Sequence, residues 1–298
     1  MESALNQTHR PIEVIVVDDG STDSSLEVLR SFGGSIILET GPNRGGNAAR
    51  NRAFALSSGE YIQYLDADDY ILPEKIERQE RFLEETKADA VYGDWRHRHH
   101  LPDGTSFLGR VEVPGSQNDV LESLLGTWWV SPAAILFRRD AIVRGGAWDE
   151  TLKAAQDRDF FTRVAFVGAT ILYQSGCYSV YRRYGNVTVS TSNTLLCIDN
   201  HCLVLEKAEN LLLKVGKLSP AYRHALARSY FLLTRIVYEL DQSRYRRLLQ
   251  KVFSLAPEFR PEVSLPYRLL QRIFGFETAE KLAGLNRRLM ARFRSKTA

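Results

Sequence analysis

Hydrophobic positions follow two regimes along the chain. Up to about residue 190, short apolar runs alternate with stretches of helical period; beyond that point only the helical period remains. The run Ile12 to Val17 stops at Asp18, Asp19 and Gly20, and a Ser/Thr/Asp cluster follows, the pattern of a buried strand, a turn and a helix start. Tyr61 to Leu65 reads as a second buried strand, ended by Asp66, Ala67, Asp68 and Asp69. Further strands are expected at Ser35–Leu38, Ala88–Tyr92, Ala133–Phe137, Thr170–Tyr173 and Tyr178–Arg182. Helices are expected at Asn47–Leu56, Pro73–Thr86, Val120–Leu125 and from Asp157 to Gly168. Between Trp95 and Val113 a polar hairpin with its turn at Pro102-Asp103-Gly104 is expected. Four helical stretches, Leu195–Val215, Pro220–Leu240, Tyr245–Phe253 and Leu265–Arg294, then complete the chain. The pattern predicts an α/β region over 1–192 and an all-helical region over 193–298.

The chemistry sits where the strands end. Ligands of α/β sheets bind outside the carboxyl ends of the strands, so the acidic clusters at 18–19 and 66–69 should face one crevice. Three carboxylates within one turn repel one another unless a cation lies among them, and hard oxygen donors suit magnesium or manganese held jointly with substrate phosphates. The competing reading is that the Asp-rich turn caps the helix that follows, and that Asp157 likewise caps its own helix.

The segments VDDGSTD at 17–23, NRGGNAARN at 43–51, YLDADD at 64–69 and GGAWDETLKAAQDRDFFTR at 145–163 resemble, in order and spacing, glycosyltransferase family 2. The resemblance covers about residues 1–190. It implies a GT-A (nucleotide-diphospho-sugar transferase, Rossmann-like) mixed sheet and a nucleotide-diphosphate sugar donor. It also implies an inverting, metal-dependent transfer to an acceptor hydroxyl, with bacterial cell-surface polysaccharide or glycolipid synthesis as the setting. By the same resemblance Asp157 is the catalytic base, with Gln156 standing where Glu is commoner. Asp18, Asp19, Arg50 and Asp66 would contact the nucleotide sugar, Asp68 and Asp69 the metal, and Trp128, Trp129 and Arg182 the acceptor. Tyr181-Arg182 with Ser190 also resembles a family feature. Relatives usually carry a further strand and the start of a helix ahead of the position where this sequence begins. Two other readings remain open at this level: a non-catalytic relative that binds nucleotide sugar or a partner, and a sugar nucleotidyltransferase, for which no Gly-rich basic triphosphate loop is visible.

Composition narrows the remainder. With 298 residues, 44% hydrophobic and 25% charged, the chain suits one large core or two domains. No run reaches the ~18 apolar residues of a membrane span, and no signal-peptide pattern opens the sequence, so a cytoplasmic location is expected. Cys177, Cys197 and Cys202 lack zinc-type spacing and read as three buried thiols. Arg96-His97-Arg98-His99-His100 reads as a solvated basic edge or an acceptor contact, with His97 and His99 on one strand face. The net charge of +3 hides an asymmetry: residues 201–298 carry 19 Lys/Arg against 8 Asp/Glu, and the first 200 residues carry 20 against 28. That distribution argues against a nucleic-acid-binding core. The last stretch, Leu265–Arg294, is basic and amphipathic, broken near Gly275, and two roles fit it: peripheral contact with an anionic membrane, or packing on the rest of the chain.

Overall fold

The computed structural model describes residues 1–185 and 193–294, and the side chains of these as far as Leu285. The chain divides into two compact units. The first comprises Met1–Leu124 and Trp128–Ala208, and the second Leu125–Thr127 with the residues from Glu209 onward. The division falls inside a helix, about sixteen positions after the composition change at 192/193.

In the first unit, a short helix α1 (Glu2–Leu5) precedes strand β1 (Ile15–Asp18), helix α2 (Ser25–Ser31) and strand β2 (Ile37–Thr40). β1 and β2 pair in parallel, Asp18 opposite Thr40. Helix α3 (Gly46–Leu56) leads to β3 (Tyr61–Ile62), β4 (Tyr70–Ile71), α4 (Lys75–Thr86), β5 (Ala90–His100) and β6 (Ser106–Glu112). Helix α5 (Val120–Leu125), β7 (Ile135–Arg138), α6 (Arg139–Gly145), α7 (Gln156–Phe166) and β8 (Ile171–Tyr184) follow. Six strands form a mixed sheet in the order β3-β7-β5-β8-β4, with β6 also on β5; β5 and β8 run parallel and the other pairs antiparallel.

Two expected elements take different forms. The strand at 61–65 pairs only through Tyr61 and Ile62; at Gln63 the backbone leaves the ladder and the side-chain amide donates to the carbonyls of Tyr64 (2.5 Å) and Pro132 (3.2 Å). The two strands expected at 170–173 and 178–182 are one long strand, β8, with register shifts opposite Asp94. The buried Asp94 pins this irregularity, accepting from the Tyr173 hydroxyl at 2.7 Å and the Gly176 amide at 3.0 Å. Gly176 has φ 132°, and a Cβ there would lie 2.4 Å from the Tyr178 ring, so a side chain is excluded.

The core of this unit lies between the sheet and α7. Phe160 stacks on Trp148 (centroids 4.3 Å apart, 8° between planes), and Tyr64 meets both rings edge-on. The strand leading to the acidic turn, the Gly-Gly-Ala-Trp turn and the helix carrying Asp157 are thereby packed as one body.

Helix α8 (Thr194–Lys214) carries the chain into the second unit, where α9 (Pro220–Val237), α10 (Gln242–Leu255) and α11 (Leu265–Arg294) follow. Ser219 and Asp241 cap α9 and α10 through side chains that accept from Tyr222 and Arg244 amides. Within this unit the buried Glu280 pairs with Arg235 at 2.8 Å and accepts from the Tyr267 hydroxyl at 2.6 Å. α11 breaks at Gly275, where φ is 80°. No described helix is long and apolar enough to cross a membrane.

Candidate active site

The site is assembled from turns that follow β1 and β3 and from the start of α7. After β1 the buried Asp18 ends the strand, and Asp19 turns toward the 43–45 loop. The two Asp19 carboxylate oxygens accept from the amides of Arg44 (2.8 Å) and Gly45 (2.7 Å). The amides of this loop are therefore occupied by the chain's own carboxylate. Gly20, at φ 77°, permits the approach: a Cβ there would lie 2.7 Å from the Asn43 amide nitrogen.

Helix α3, which begins there, points Arg50 across the site. Its guanidinium donates to Asp66 Oδ1 at 2.6 Å, to Gln156 Oε1 at 3.2 Å and to Asn47 Oδ1 at 3.1 Å, and lies over the Trp148 ring at 4.7 Å. One residue on, Asn51 grips Trp148 from both sides, donating to its carbonyl at 2.9 Å and accepting from its amide at 2.8 Å. Arg50 thus links the acidic turn to the first residue of α7.

The three carboxylates of the acidic turn have different surroundings. Asp66 is held by Arg50, Asp68 is exposed, and Asp69 is buried. Asp69 Oδ1 accepts from the Arg182 amide at 2.9 Å. Burial raises the Asp69 carboxyl, that hydrogen bond opposes the rise, and the charges of Asp68 and Asp66 add to it, giving about 7. Among the described residues no three His, Cys, Asp or Glu side chains converge on one point as a metal cage. The donor set fits a hard divalent cation that takes one or two carboxylates and completes its shell with water and substrate phosphates. Among the described residues, the exposed Asp68 and the second oxygens of Asp69 and Asp66 could serve it.

Asp157 is the second residue of α7 rather than its cap; that position belongs to Ala155, in the left-handed region at φ 55°. Asp157 Oδ1 accepts from the Arg158 amide at 2.9 Å, and Oδ2 accepts from the Trp129 indole N–H. Trp129 is 37% exposed, whereas Trp128 packs edge-on against Tyr92 (5.1 Å) and donates to the Pro114 carbonyl. Trp128 packs against the core cluster, and Trp129 meets the buried Trp95 edge-on at 5.4 Å while its other side stays open. Arg182 lies over the Tyr70 ring at 5.2 Å, with its backbone on Asp69. Ser190 lies outside the described residues.

Sequence reasoning missed the support behind Asp157, which comes from α8, a helix assigned by pattern to the tail. Asn200 accepts from the amides of Lys153 (2.9 Å) and Ala154 (3.3 Å), fixing the loop ahead of α7. Lys207 Nζ bridges Asp149 at 2.7 Å and the buried Asp159 at 2.5 Å, and Arg163 closes the cluster on Asp159 at 2.8 Å. The signal available was one of two Lys and one of two Asn on an amphipathic helix, which carries no address. His201 on the same helix is lowered to about 4, by burial first and the Arg158 cation second, with Asp157 opposing; it is neutral at pH 7.

With this geometry established, comparison with known proteins places the chain. The family model for glycosyl transferase family 2 matches residues 1–186, well over half of the sequence. The chain belongs to glycosyltransferase family 2. Chondroitin synthase of Pasteurella multocida (strain Pm70) is 28% identical over 214 residues, 70% of this chain and 21% of that protein. Glycosyltransferase GlyG of Streptococcus pneumoniae serotype 4 is 37% identical over 197 residues, 61% of this chain and 65% of that one. The chain therefore spans about a fifth of the length of the synthase. S. aureus TarS 1–349, solved in complex with UDP-GlcNAc, superposes with a TM-score of 0.67 at 18% identity, covering 96% of this chain and 86% of that one. The shared fold is the GT-A α/β arrangement with a helical C-terminal region.

The Lys207 cluster generates a pH prediction. Burial pushes the Asp149 carboxyl up, but hydrogen bonds from Lys207 and Thr151 outweigh it and bring it down to about 2. A folded-state value below the unfolded one means that the unfolded chain binds more protons. The Asp149 contribution is therefore complete above the unfolded value of ~4 and fades as pH falls toward 2. Urea unfolding of wild type and Asp149→Asn should differ at pH 6, by about 1 kcal/mol for this partly exposed pair, and converge near pH 2. A gap that stays constant from pH 6 to pH 2 would contradict the assignment.

Proposed function

We propose that this member of the family is an inverting glycosyltransferase that moves a sugar from a nucleotide-diphosphate donor to an acceptor hydroxyl, in the synthesis of a bacterial cell-surface polysaccharide or glycolipid. The observation that carries this reading is Arg50, whose guanidinium joins Asp66 of the acidic turn to Gln156 beside Asp157. A donor-binding half and a proton-accepting half then stand in one hydrogen-bonded unit, as a single displacement requires. The chondroitin synthase relative and the UDP-GlcNAc complex of TarS support the donor class and the polymer setting by likeness.

Asp18 and Asp19 are assigned to the nucleotide, Asp66 to the ribose side, and Arg50 to the diphosphate next to it. Asp68 and Asp69 would hold a magnesium or manganese ion, which supplies charge neutralisation for the departing diphosphate. Asp157 accepts the proton of the acceptor hydroxyl as that oxygen attacks the anomeric carbon. The Trp129 N–H fixes one carboxylate oxygen and the Arg158 amide the other, so the carboxylate is oriented before the acceptor arrives. Attack from the face opposite the leaving group inverts the configuration.

The helical unit supports a second part of the reading, peripheral attachment to an anionic membrane on the side where donor is made. Leu269, Ile273 and Phe274 of α11 are 51%, 68% and 60% exposed, and Arg268 and Arg272 beside them are exposed as well. Between Val263 and Phe276 there is no acidic residue. The side chains of Arg287, Arg288, Leu289, Arg292, Phe293 and Arg294, which continue the pattern, lie outside those described.

Asp157→Asn should leave nucleotide-sugar affinity within about twofold while transfer falls ~10²-fold or more, and Asp68→Asn should weaken the metal-dependent part of donor binding. Calorimetry over a panel of UDP- and GDP-sugars with and without manganese, paired with a transfer assay, reads both; normal turnover by Asp157→Asn would remove the base from the account. For the membrane contact, the intact chain should sediment with vesicles containing phosphatidylglycerol and not with neutral ones. Arg268→Glu/Arg272→Glu should release it, each charge contributing about 1 kcal/mol. Equal, negligible sedimentation with both vesicle types would exclude attachment.

A further inference from the structure

From Trp129, on the candidate base, a line of aromatic rings runs outward across the β5–β6 extension. Trp129 faces Tyr181 at 6.4 Å, Tyr181 faces His97 at 5.5 Å, His97 faces His99 at 5.8 Å, and His99 stacks on Phe107 at 4.9 Å. The sheet makes the line. His97 and His99 alternate onto one face of β5, and the register sets His97 opposite Tyr181 of β8 and His99 opposite Phe107 of β6. Arg98 takes the other face, donating to the Tyr70 hydroxyl.

Tyr181 packs against the core cluster and Trp129 meets the buried Trp95 edge-on at 5.4 Å, but neither ring is fully buried. β5 is buried from Ala90 to Trp95 and only half-buried from Arg96 to His100; Trp129 is 37% exposed and Phe107 52%. Gly109 on β6 leaves the His99 imidazole uncovered on that side, since a Cβ there would stand 3.3 Å from its Nε2. A run of partly exposed aromatic rings that starts at a reaction centre marks a binding surface. Its inner end lies within the influence of both halves of the site. Asp69, Asp68 and Asp66 all raise the Tyr181 hydroxyl, after burial itself, while Trp129 bonds Asp157. The exposed Arg183, over the Tyr181 ring at 5.9 Å, adds a cation beside the line.

We infer that this aromatic line binds an extended saccharide chain as acceptor, its terminal hydroxyl at Asp157 and its preceding sugars lying over Tyr181, His97, His99 and Phe107. The inference rests on the transferase reading of Asp157. The rings meet edge-on at Tyr181 and stack at Phe107, and they leave both apolar carbon and polar imidazole edges along the line, which matches a saccharide, whose rings present C–H faces bordered by hydroxyls. A uniformly apolar ligand would leave those imidazole edges without partners.

The experiment measures binding of hyaluronan and chito-oligosaccharides of two, four and eight sugars to the full chain by calorimetry, with quenching of Trp129 fluorescence as a second signal. Affinity for at least one of the two series should rise about tenfold or more from two sugars to eight, and His99→Ala and Phe107→Ala should each remove most of that rise. Affinity independent of length in both series, or a rise untouched by either variant, would overturn the proposal. So would a dimer seen by light scattering that the same variants dissolve, because the face would then be occupied by a second copy. Failure of the chain to bind any nucleotide sugar would reject the transferase reading alone, since the length dependence is measured without donor.

Discussion

The Arg50 guanidinium is the constraint on which the site depends. It lies against Trp148, which stacks on the fully buried Phe160, so its position is set by the core rather than by solvent. From there it satisfies Asp66 and Gln156 at once. The ion pair is partly exposed, with side chains at 20% and 34%, and contributes on the order of 1 kcal/mol to stability. Its larger effect is geometric. Asp66 is held on the guanidinium, and the start of α7 is tied to the acidic turn.

Elsewhere in the unit, too, the surroundings of a carboxylate decide what it does. Asp19 accepts from two backbone amides and fixes the 43–45 loop, each oxygen keeping a further lone pair. Asp159 is buried with Lys207 and Arg163 and secures α7 from behind. Asp69 is buried with only one amide on it and two like charges near, and so holds its proton more strongly than an ordinary carboxylate. Bringing a cation to Asp68 and Asp69 would relieve that repulsion, which is how an acidic turn binds metal without a preformed cage.

Much of this was legible in the sequence because strands that end in acidic residues obey local rules. The apolar run before Asp18, the Asp66–Asp69 turn and the helical period after Asp157 each appear in the structure near the expected positions. Three things were not legible. The bulge that fuses 171–184 into one strand depends on Asp94 bonding Tyr173 and Gly176, a contact across the sheet. The support from Asn200 and Lys207 comes from a helix that composition assigned to the tail, because amphipathic period gives a face but not the partner it meets. Asp157 could be read as a helix cap from spacing alone; the left-handed Ala155 ahead of it moves the helix start back, which leaves its carboxylate for Trp129.

If Arg50 unites the two halves of the site, they should not be separable by mutation. Arg50→Lys keeps the charge but replaces a planar fork, able to serve Asp66 and Gln156 together, with a single ammonium. Steady-state kinetics of this variant with nucleotide sugar and acceptor is the direct test. The account predicts that donor affinity and kcat fall together. Weakened donor binding with an unchanged kcat would contradict it, because the acidic turn and Asp157 would then act independently.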